Sequence, residues 1–298
     1  MKALIQLVRF SRPHTIVGTT LSIVALYLLA LAYEGQSSGS AALLLLTLAS
    51  CLGANLYIVG LNQLTDVEID RINKPYLPLA SGAFSMRTGR LLIFAGLALS
   101  LLIAVYTGKY LLLTVALSLL LGTAYSLPPI RLKRFHFWAA FCIIAVRGLI
   151  VNLLLFLHFH WWLSGRQQVP PLIWWLTAAI FTYGLVIAWF KDMPDTEGDR
   201  AYRINTLSLS LGVKAVFRIG NALLAGLFLL LIGLPFFTNI PVHRTLFSLG
   251  HALMLVALVW SILRVDLARQ ASIARYYQAV WLLFFTEYIL FATAAQLG

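Results

Sequence analysis

The chain has 298 residues, 61% of them hydrophobic and 11% charged, against roughly 25% charged residues in an average soluble domain, and its mean hydropathy is +0.89. That composition excludes a soluble globular domain. It also removes nucleic acid as the reason for a formal charge of +12, because the basic residues are divided among short loops between apolar runs.

In chain order, the apolar runs predict nine spans, at 14–32, 41–63, 90–107, 109–126, 137–160, 171–190, 214–235, 246–264 and 276–296, each near the ~20 residues that cross a bilayer as a helix. The first run is too long for a signal-peptide core and has no convincing cleavage site, so it is expected to be retained as the first helix. No Ser/Arg-rich leader precedes it, so either a transit peptide is removed or none exists, and the bare start is expected to fit a bacterial origin. With the N-terminus inside, eighteen of the 22 basic residues fall on the inner face and three (Lys109, Arg166, Arg244) on the outer, while Arg147 lies within a span. This asymmetry predicts a cytoplasmic N-terminus and an outer C-terminus. The expected architecture is one all-α, polytopic transmembrane domain over residues 1–298. Cys51 and Cys142 lie in apolar runs, away from any histidine pair that would complete a metal site, and are read as small buried residues.

Ten carboxylates are present, and seven of them sit in two short clusters: Asn62-Gln-Leu-Thr-Asp66-Val-Glu68-Ile-Asp70-Arg71, and Lys191-Asp192-Met-Pro-Asp195-Thr-Glu197-Gly-Asp199-Arg200. Both contain D-x-E-x-D-R, at the inner ends of the second and sixth predicted helices. If the second helix continues inward, Asn62, Asp66 and Asp70 share one face. Asp192, Asp195 and Asp199 have the i, i+3, i+7 spacing of the same geometry, although Pro194 and Gly198 interrupt a regular helix. Carboxylates crowded at a membrane boundary repel one another and lose hydration, which implies a counter-ion. Hard oxygen ligands without His or Cys favour Mg²⁺, which commonly binds through a few carboxylates and a substrate phosphate. Two acidic faces, Asn62, Asp66 and Asp70 on one and Asp192, Asp195 and Asp199 on the other, can therefore meet at such an ion. Arg71, Lys74, Lys133, Arg134, Lys191 and Arg200, together with Asn62, are candidates to hold a diphosphate, where charge grows on the leaving group as the carbon–oxygen bond breaks. Arg131 and Arg203 flank the same clusters.

These residues resemble the UbiA-type intramembrane aromatic prenyltransferases, whose hallmark is N-D-x-x-D-x-x-x-D and a second Asp-rich motif on inner loops. Gln63 stands where many members carry Asp, which removes one ligand of the first motif. The strings FSRPHTIVGTTLS at 10–22, GLNQLTDVEIDRINKPYLPLASG at 60–82, GTAYSLPPIRLKRF at 122–135 and FKDMPDTEGDR at 190–200 look like the homogentisate branch of that family, its cyanobacterial members above all. The resemblance implies nine helices around a central cavity, Mg²⁺ as cofactor held by Asp66, Asp70, Asp192, Asp195 and Asp199 with Asn62 assisting, those five aspartates as the catalytic group, and an isoprenyl (phytyl) diphosphate and homogentisate as partners alongside membrane lipid. The implied reaction joins phytyl to the ring with loss of CO₂, giving 2-methyl-6-phytylbenzoquinol for tocopherol in a cyanobacterial thylakoid or plasma membrane. The alternatives are another donor or acceptor (solanesyl diphosphate, chlorophyllide, hydroxybenzoate) and, in a different class, a cation-coupled transporter. Carboxylates gathered at inner helix ends and not at the midplane argue against the transporter.

Arg147 lies in the middle of the fifth span, where burying a guanidinium costs about 2.5 kcal/mol or more. It is expected to form an interhelical ion pair or to hydrogen-bond Asn152 or a backbone carbonyl, the alternative being that it meets the homogentisate carboxylate. Asn152, His14 and Tyr125 complete the acceptor-binding candidates. Tyr57, Phe181, Tyr183, Trp189 and Phe190 are read chiefly as packing, Trp161, Trp162, Trp174 and Trp175 as an interfacial belt, and His158 and His160 as interfacial.

Overall fold

The structure is a computed structural model, and it describes residues 2–194 and 206–298. Among the described residues every regular element is helical, as lipid demands of a chain whose backbone must satisfy its own polar groups. Among the described residues, nine helical spans are long and apolar enough to cross a membrane: Pro13–Tyr33, Ala41–Thr65, Met86–Thr107, Lys109–Ser126, Phe137–Ser164, Pro171–Phe190, Val213–Phe237, Arg244–Arg264 and Gln270–Gln296. All nine predicted spans are present, and the chain is an integral, multi-pass membrane protein.

One compact unit comprises residues 1–24 and 39–133. It contains α1 (Lys2–Phe10), the first half of α2 (Pro13–Tyr33), α3 (Ala41–Thr65), α4 (Val67–Asn73), α5 (Met86–Thr107) and α6 (Lys109–Ser126). Ser40 and Ser85 cap α3 and α5, accepting from the backbone N–H groups of Leu43 at 3.2 Å and Thr88 at 3.0 Å. The α3–α5 pair sets the core of this unit, and glycine permits its closeness. A Cβ on Gly53 would lie 2.9 Å from the Gly96 carbonyl oxygen, and one on Gly96 would lie 2.7 Å from that of Gly53. Small residues at such a crossing let two backbones approach, as membrane helix packing favours, and one turn away Ser50 Oγ donates to the Ser100 carbonyl at 2.8 Å.

The second unit comprises residues 25–38 and 134–298. It holds the end of α2, then α7 (His136–Ile144), a π-helical turn (Ala145–Ile150), α8 (Val151–Ser164), α9 (Pro171–Phe190), α10 (Leu207–Leu211), α11 (Val213–Phe237), α12 (Arg244–Arg264) and α13 (Gln270–Gln296). Helix α9 packs on α7, the π turn, α11 and α13, and so forms the centre of this unit.

Two expectations about local structure change here. The fifth span is not a regular helix: its backbone widens at Ala145–Ile150, where the Val151 N–H bonds the Val146 carbonyl five residues back. His158 and His160 are not interfacial, being 1% and 0% exposed. Both nitrogens of His160 are engaged, Nε2 with Glu34 Oε1 at 2.7 Å and Nδ1 with the Gln168 carbonyl at 2.9 Å. Trp161, Trp162 and Trp174 are exposed, as an interfacial belt requires, whereas Tyr183 and Phe190 are fully buried packing residues.

Candidate active site

The C-terminal end of α3 does not run on as one helix. It stops at Thr65, Asp66 adopts φ −118° and ψ 15°, and α4 begins at Val67. The expected continuous face of Asn62, Asp66 and Asp70 is therefore broken at its middle member, because the Asp66 carboxylate is held from outside the helix. Its Oδ1 accepts from Arg131 Nη2 at 2.7 Å, and its Oδ2 accepts from Lys133 Nζ and, at 3.3 Å, from Asn62 Nδ2. Lys133 also donates to Thr65 Oγ1 at 3.3 Å. Asn62 Oδ1 in turn accepts from Arg12 Nη2 at 3.2 Å.

Arg12 and Arg131 were not among the site candidates, and they share a property that sequence does not display. Their φ angles are +54° and +39°, and they are the positive-φ residues other than glycine among those described. A side chain in that region is strained, and such strain gathers at functional sites. Arg12 turns the corner between α1 and α2, and Gln63 helps to hold that corner. The Gln63 side chain is 1% exposed and its Nε2 donates to the Phe10 carbonyl at 2.6 Å. The substitution that removes a carboxylate ligand thus gains a donor that an aspartate would lack.

Asp70 is 6% exposed, and its Oδ2 is buried without a hydrogen-bond partner. Burial pushes its carboxyl above the usual aspartate range, opposed by the charges of Arg12, Lys74 and Lys133 and reinforced by Asp66. Burial likewise pulls the Lys133 ammonium down, against the attraction of Asp66. Arg71 turns away, pairing with Glu68 at 2.9 Å on an exposed surface, and Arg134 is exposed. The cations that face the first motif are therefore Arg12, Lys74, Arg131 and Lys133. His14 is exposed and Tyr125 half-buried.

Of the second motif, Lys191 and Asp192 follow α9 with their charged groups 3.9 Å apart, and Gln270 Nε2 donates to the Pro194 carbonyl at 2.7 Å. Asp195, Asp199 and Arg200 lie outside the described residues, as do Glu197 and Arg203. Among the described residues no three His, Cys, Asp or Glu side chains gather as a metal site. Asp66 and Asp70 supply two carboxylates, both hard oxygen donors, and the unpartnered Asp70 oxygen is a vacant ligand of the kind Mg²⁺ takes.

Within the second unit, Arg147 sits on the π turn with its guanidinium 5.0 Å from the centre of the Trp281 ring. It is partly accessible, and none of the ion pairs among the described residues includes it. Asn152, expected to touch an acceptor, is fully buried with both ends of its amide committed.

Residues 21–286 match the UbiA prenyltransferase family. The chain is 48% identical to a homogentisate phytyltransferase of Synechocystis sp., over 97% of this chain and 95% of the relative. It is 38% identical to the chloroplastic homogentisate solanesyltransferase of Arabidopsis thaliana, over 95% of this chain and 75% of the relative. A UbiA homolog from Archaeoglobus fulgidus, solved bound to DMAPP and Mg²⁺, has the same fold, with a TM-score of 0.67 at 19% identity over 96% of this chain and 99% of that one. These relationships set the transporter reading aside, and with a nine-span fold and an Asp-centred, cation-lined motif in agreement, the chain belongs to the UbiA prenyltransferase family and is a prenyl-transferring membrane enzyme.

Proposed function

We propose that the enzyme transfers a phytyl group from phytyl diphosphate to homogentisate, releasing diphosphate and CO₂ and giving 2-methyl-6-phytylbenzoquinol for tocopherol synthesis in a cyanobacterial thylakoid or plasma membrane. The observation that carries this reading is the 48% identity, over almost the whole of both chains, to a protein named for that reaction. The phytyl- and solanesyl-transferring relatives share the acceptor in their names and differ in the prenyl chain. Support for the acceptor is correspondingly broader than for the donor.

Asn62, Asp66, Asp70, Asp192, Asp195 and Asp199 would hold Mg²⁺. Bound there, it would neutralise the diphosphate and ease its departure as the carbon–oxygen bond lengthens. Arg12, Lys74, Arg131 and Lys133, with Lys191 and Arg200 of the second motif, would take the phosphate oxygens and oppose the charge that grows on them. Arg131 and Lys133 are held in place by Asp66 before any substrate arrives, so little reorganisation accompanies binding. Arg147 would receive the acceptor carboxylate, the one anionic group of homogentisate, at a depth where an unpaired guanidinium is expensive.

The test is mass-spectrometric identification of the product made by purified protein given Mg²⁺, homogentisate and a panel of prenyl diphosphates. Phytylated, decarboxylated product is expected. Solanesyl transfer exceeding phytyl transfer would overturn the donor, and turnover only with a different aromatic acid would overturn the acceptor.

A further inference from the structure

We infer that Asn152 and Tyr288 are positioning residues that set the guanidinium of Arg147 for the acceptor carboxylate; the inference rests on the reading of Arg147 given above. A π turn is a local insertion in an α-helix: hydrogen bonds shift from i+4 to i+5, and where the α pattern resumes a carbonyl is left without its backbone partner. Such turns persist only where something else supplies the missing donor and where they serve a site.

At this turn Asn152 offers a side-chain donor to the backbone. Its Nδ2 reaches the Gly148 carbonyl at 3.0 Å and the Arg147 carbonyl at 3.3 Å, so a single amide ties down the peptide groups on either side of the Gly148 Cα. Asn152 Oδ1 accepts from the Tyr288 hydroxyl at 2.7 Å, and that bond fixes which end of the amide faces the carbonyls. The wide turn also lies close to its neighbour, since a Cβ on Gly148 would come within 3.1 Å of the Phe181 Cα.

Helix α13 therefore holds Arg147 twice. Trp281 lies against the guanidinium, and Tyr288, two turns further along the same face, holds the backbone that carries it. Asn152, with every polar atom engaged and no surface exposed, cannot be a ligand, yet it is a polar group deep in a membrane span, where such a group is costly unless it does something. Removing the Tyr288 hydroxyl frees the amide to rotate and lets the turn relax toward α-helix, which would swing Arg147 around the helix axis. The substrate feature that senses this is the acceptor's anionic carboxylate. The diphosphate, met by other residues, would not.

The experiment compares Tyr288→Phe and Arg147→Lys with the unsubstituted enzyme in Mg²⁺, varying homogentisate and phytyl diphosphate separately. Both substitutions are expected to raise the KM for homogentisate, Tyr288→Phe by about fivefold, the worth of one buried hydrogen bond, with the KM for phytyl diphosphate unchanged. KM does not depend on how much enzyme folds, so a lower yield does not blur the result. Asn152→Ser, which shortens the donor and removes the acceptor of the Tyr288 hydroxyl, provides an independent variant and should act in the same direction. If Arg147→Lys raises the homogentisate KM and neither Tyr288→Phe nor Asn152→Ser does, the positioning role is wrong and the reading of Arg147 stands. If none of the three moves it, the reading of Arg147 fails and takes this inference with it. A fall in kcat with both KM values rising together would mark a purely structural role and overturn the proposal.

Discussion

Arg131 reaches the carboxylate of Asp66 at 2.7 Å from 65 residues further along the chain, and it does so from a backbone conformation that only glycine adopts without strain. The contact joins the loop after α6 to the break between α3 and α4. It explains why the break exists: the carboxylate that would have lain along a continuous helix is drawn instead to two cations beside it.

Asp66 is thus both a candidate metal ligand and the anchor of the phosphate-facing cations. Asp66→Ala should lower turnover by at least about 10²-fold, in the range found when a preorganised electrostatic contact at a reacting centre is lost. The protein should still insert in the membrane, because no span depends on this side chain. Turnover of the purified variant at saturating Mg²⁺ checks it, and activity within tenfold of the unsubstituted enzyme would remove Asp66 from the site.

Arg131 separates strain from function. With φ at +39°, Arg131→Gly relieves a backbone cost of about 1 kcal/mol that Arg131→Ala retains, while both lose the guanidinium. The glycine variant should therefore melt above the alanine variant by a few degrees, and both should bind the diphosphate substrate more weakly. Equal melting temperatures would mean that the turn is unstrained.

What was legible in the sequence follows from which forces act locally. The nine spans could be read because lipid imposes a length and a composition on each helix separately. The two Asp motifs stood out because acids are rare in this chain. Arg12 was invisible as a site residue, and Arg131 stood out only as one flanking cation among several, because a positive φ at an arginine is a property of the folded corner and leaves no mark in residue type. Arg71 and Arg134 looked equivalent to Lys133 by position along the chain, yet Arg71 is turned to Glu68 on the surface and Arg134 lies exposed. The π turn was equally hidden, since a span of 137–160 has the same hydropathy whether its hydrogen bonds close at four residues or five.

Asp70 gives a pH prediction. Burial raises its carboxyl above the ordinary value of 3.8, so in the interval just above that value the folded protein holds a proton that the unfolded chain has released. Stability must then fall as pH rises through that interval. In EDTA, Asp70→Asn, which has no proton to lose, should flatten this decline and melt higher than the unsubstituted protein at neutral pH, while losing turnover when Mg²⁺ is restored. A melting temperature that rises with pH across the same interval in the unsubstituted protein, and is lost in Asp70→Asn, would contradict the raised carboxyl.

Two of the three carboxylates outside the motifs pair with buried histidines, Glu34 with His160 and Glu287 with His251, and the deeper pair makes the last prediction. Glu287 and His251 are both 0% exposed; His251 meets Glu287 Oε1 at 3.3 Å through Nε2 and the Phe247 carbonyl at 2.7 Å through Nδ1, which ties α13 to α12. Removing one member leaves the other as an uncompensated polar group in an apolar interior, at a cost of about 3–5 kcal/mol. Replacing both with apolar residues of similar size removes that imbalance, and leaves the buried Tyr183 hydroxyl, which also lies against Glu287, as a polar neighbour still affected. Glu287→Ala should therefore lower the melting temperature sharply, whereas the double variant His251→Leu with Glu287→Met should recover most of the loss and keep the kcat of the unsubstituted enzyme. Recovery of stability without turnover would instead place this pair in the chemistry, since a contact that serves only to join two helices has no means of changing the rate once the helices are joined.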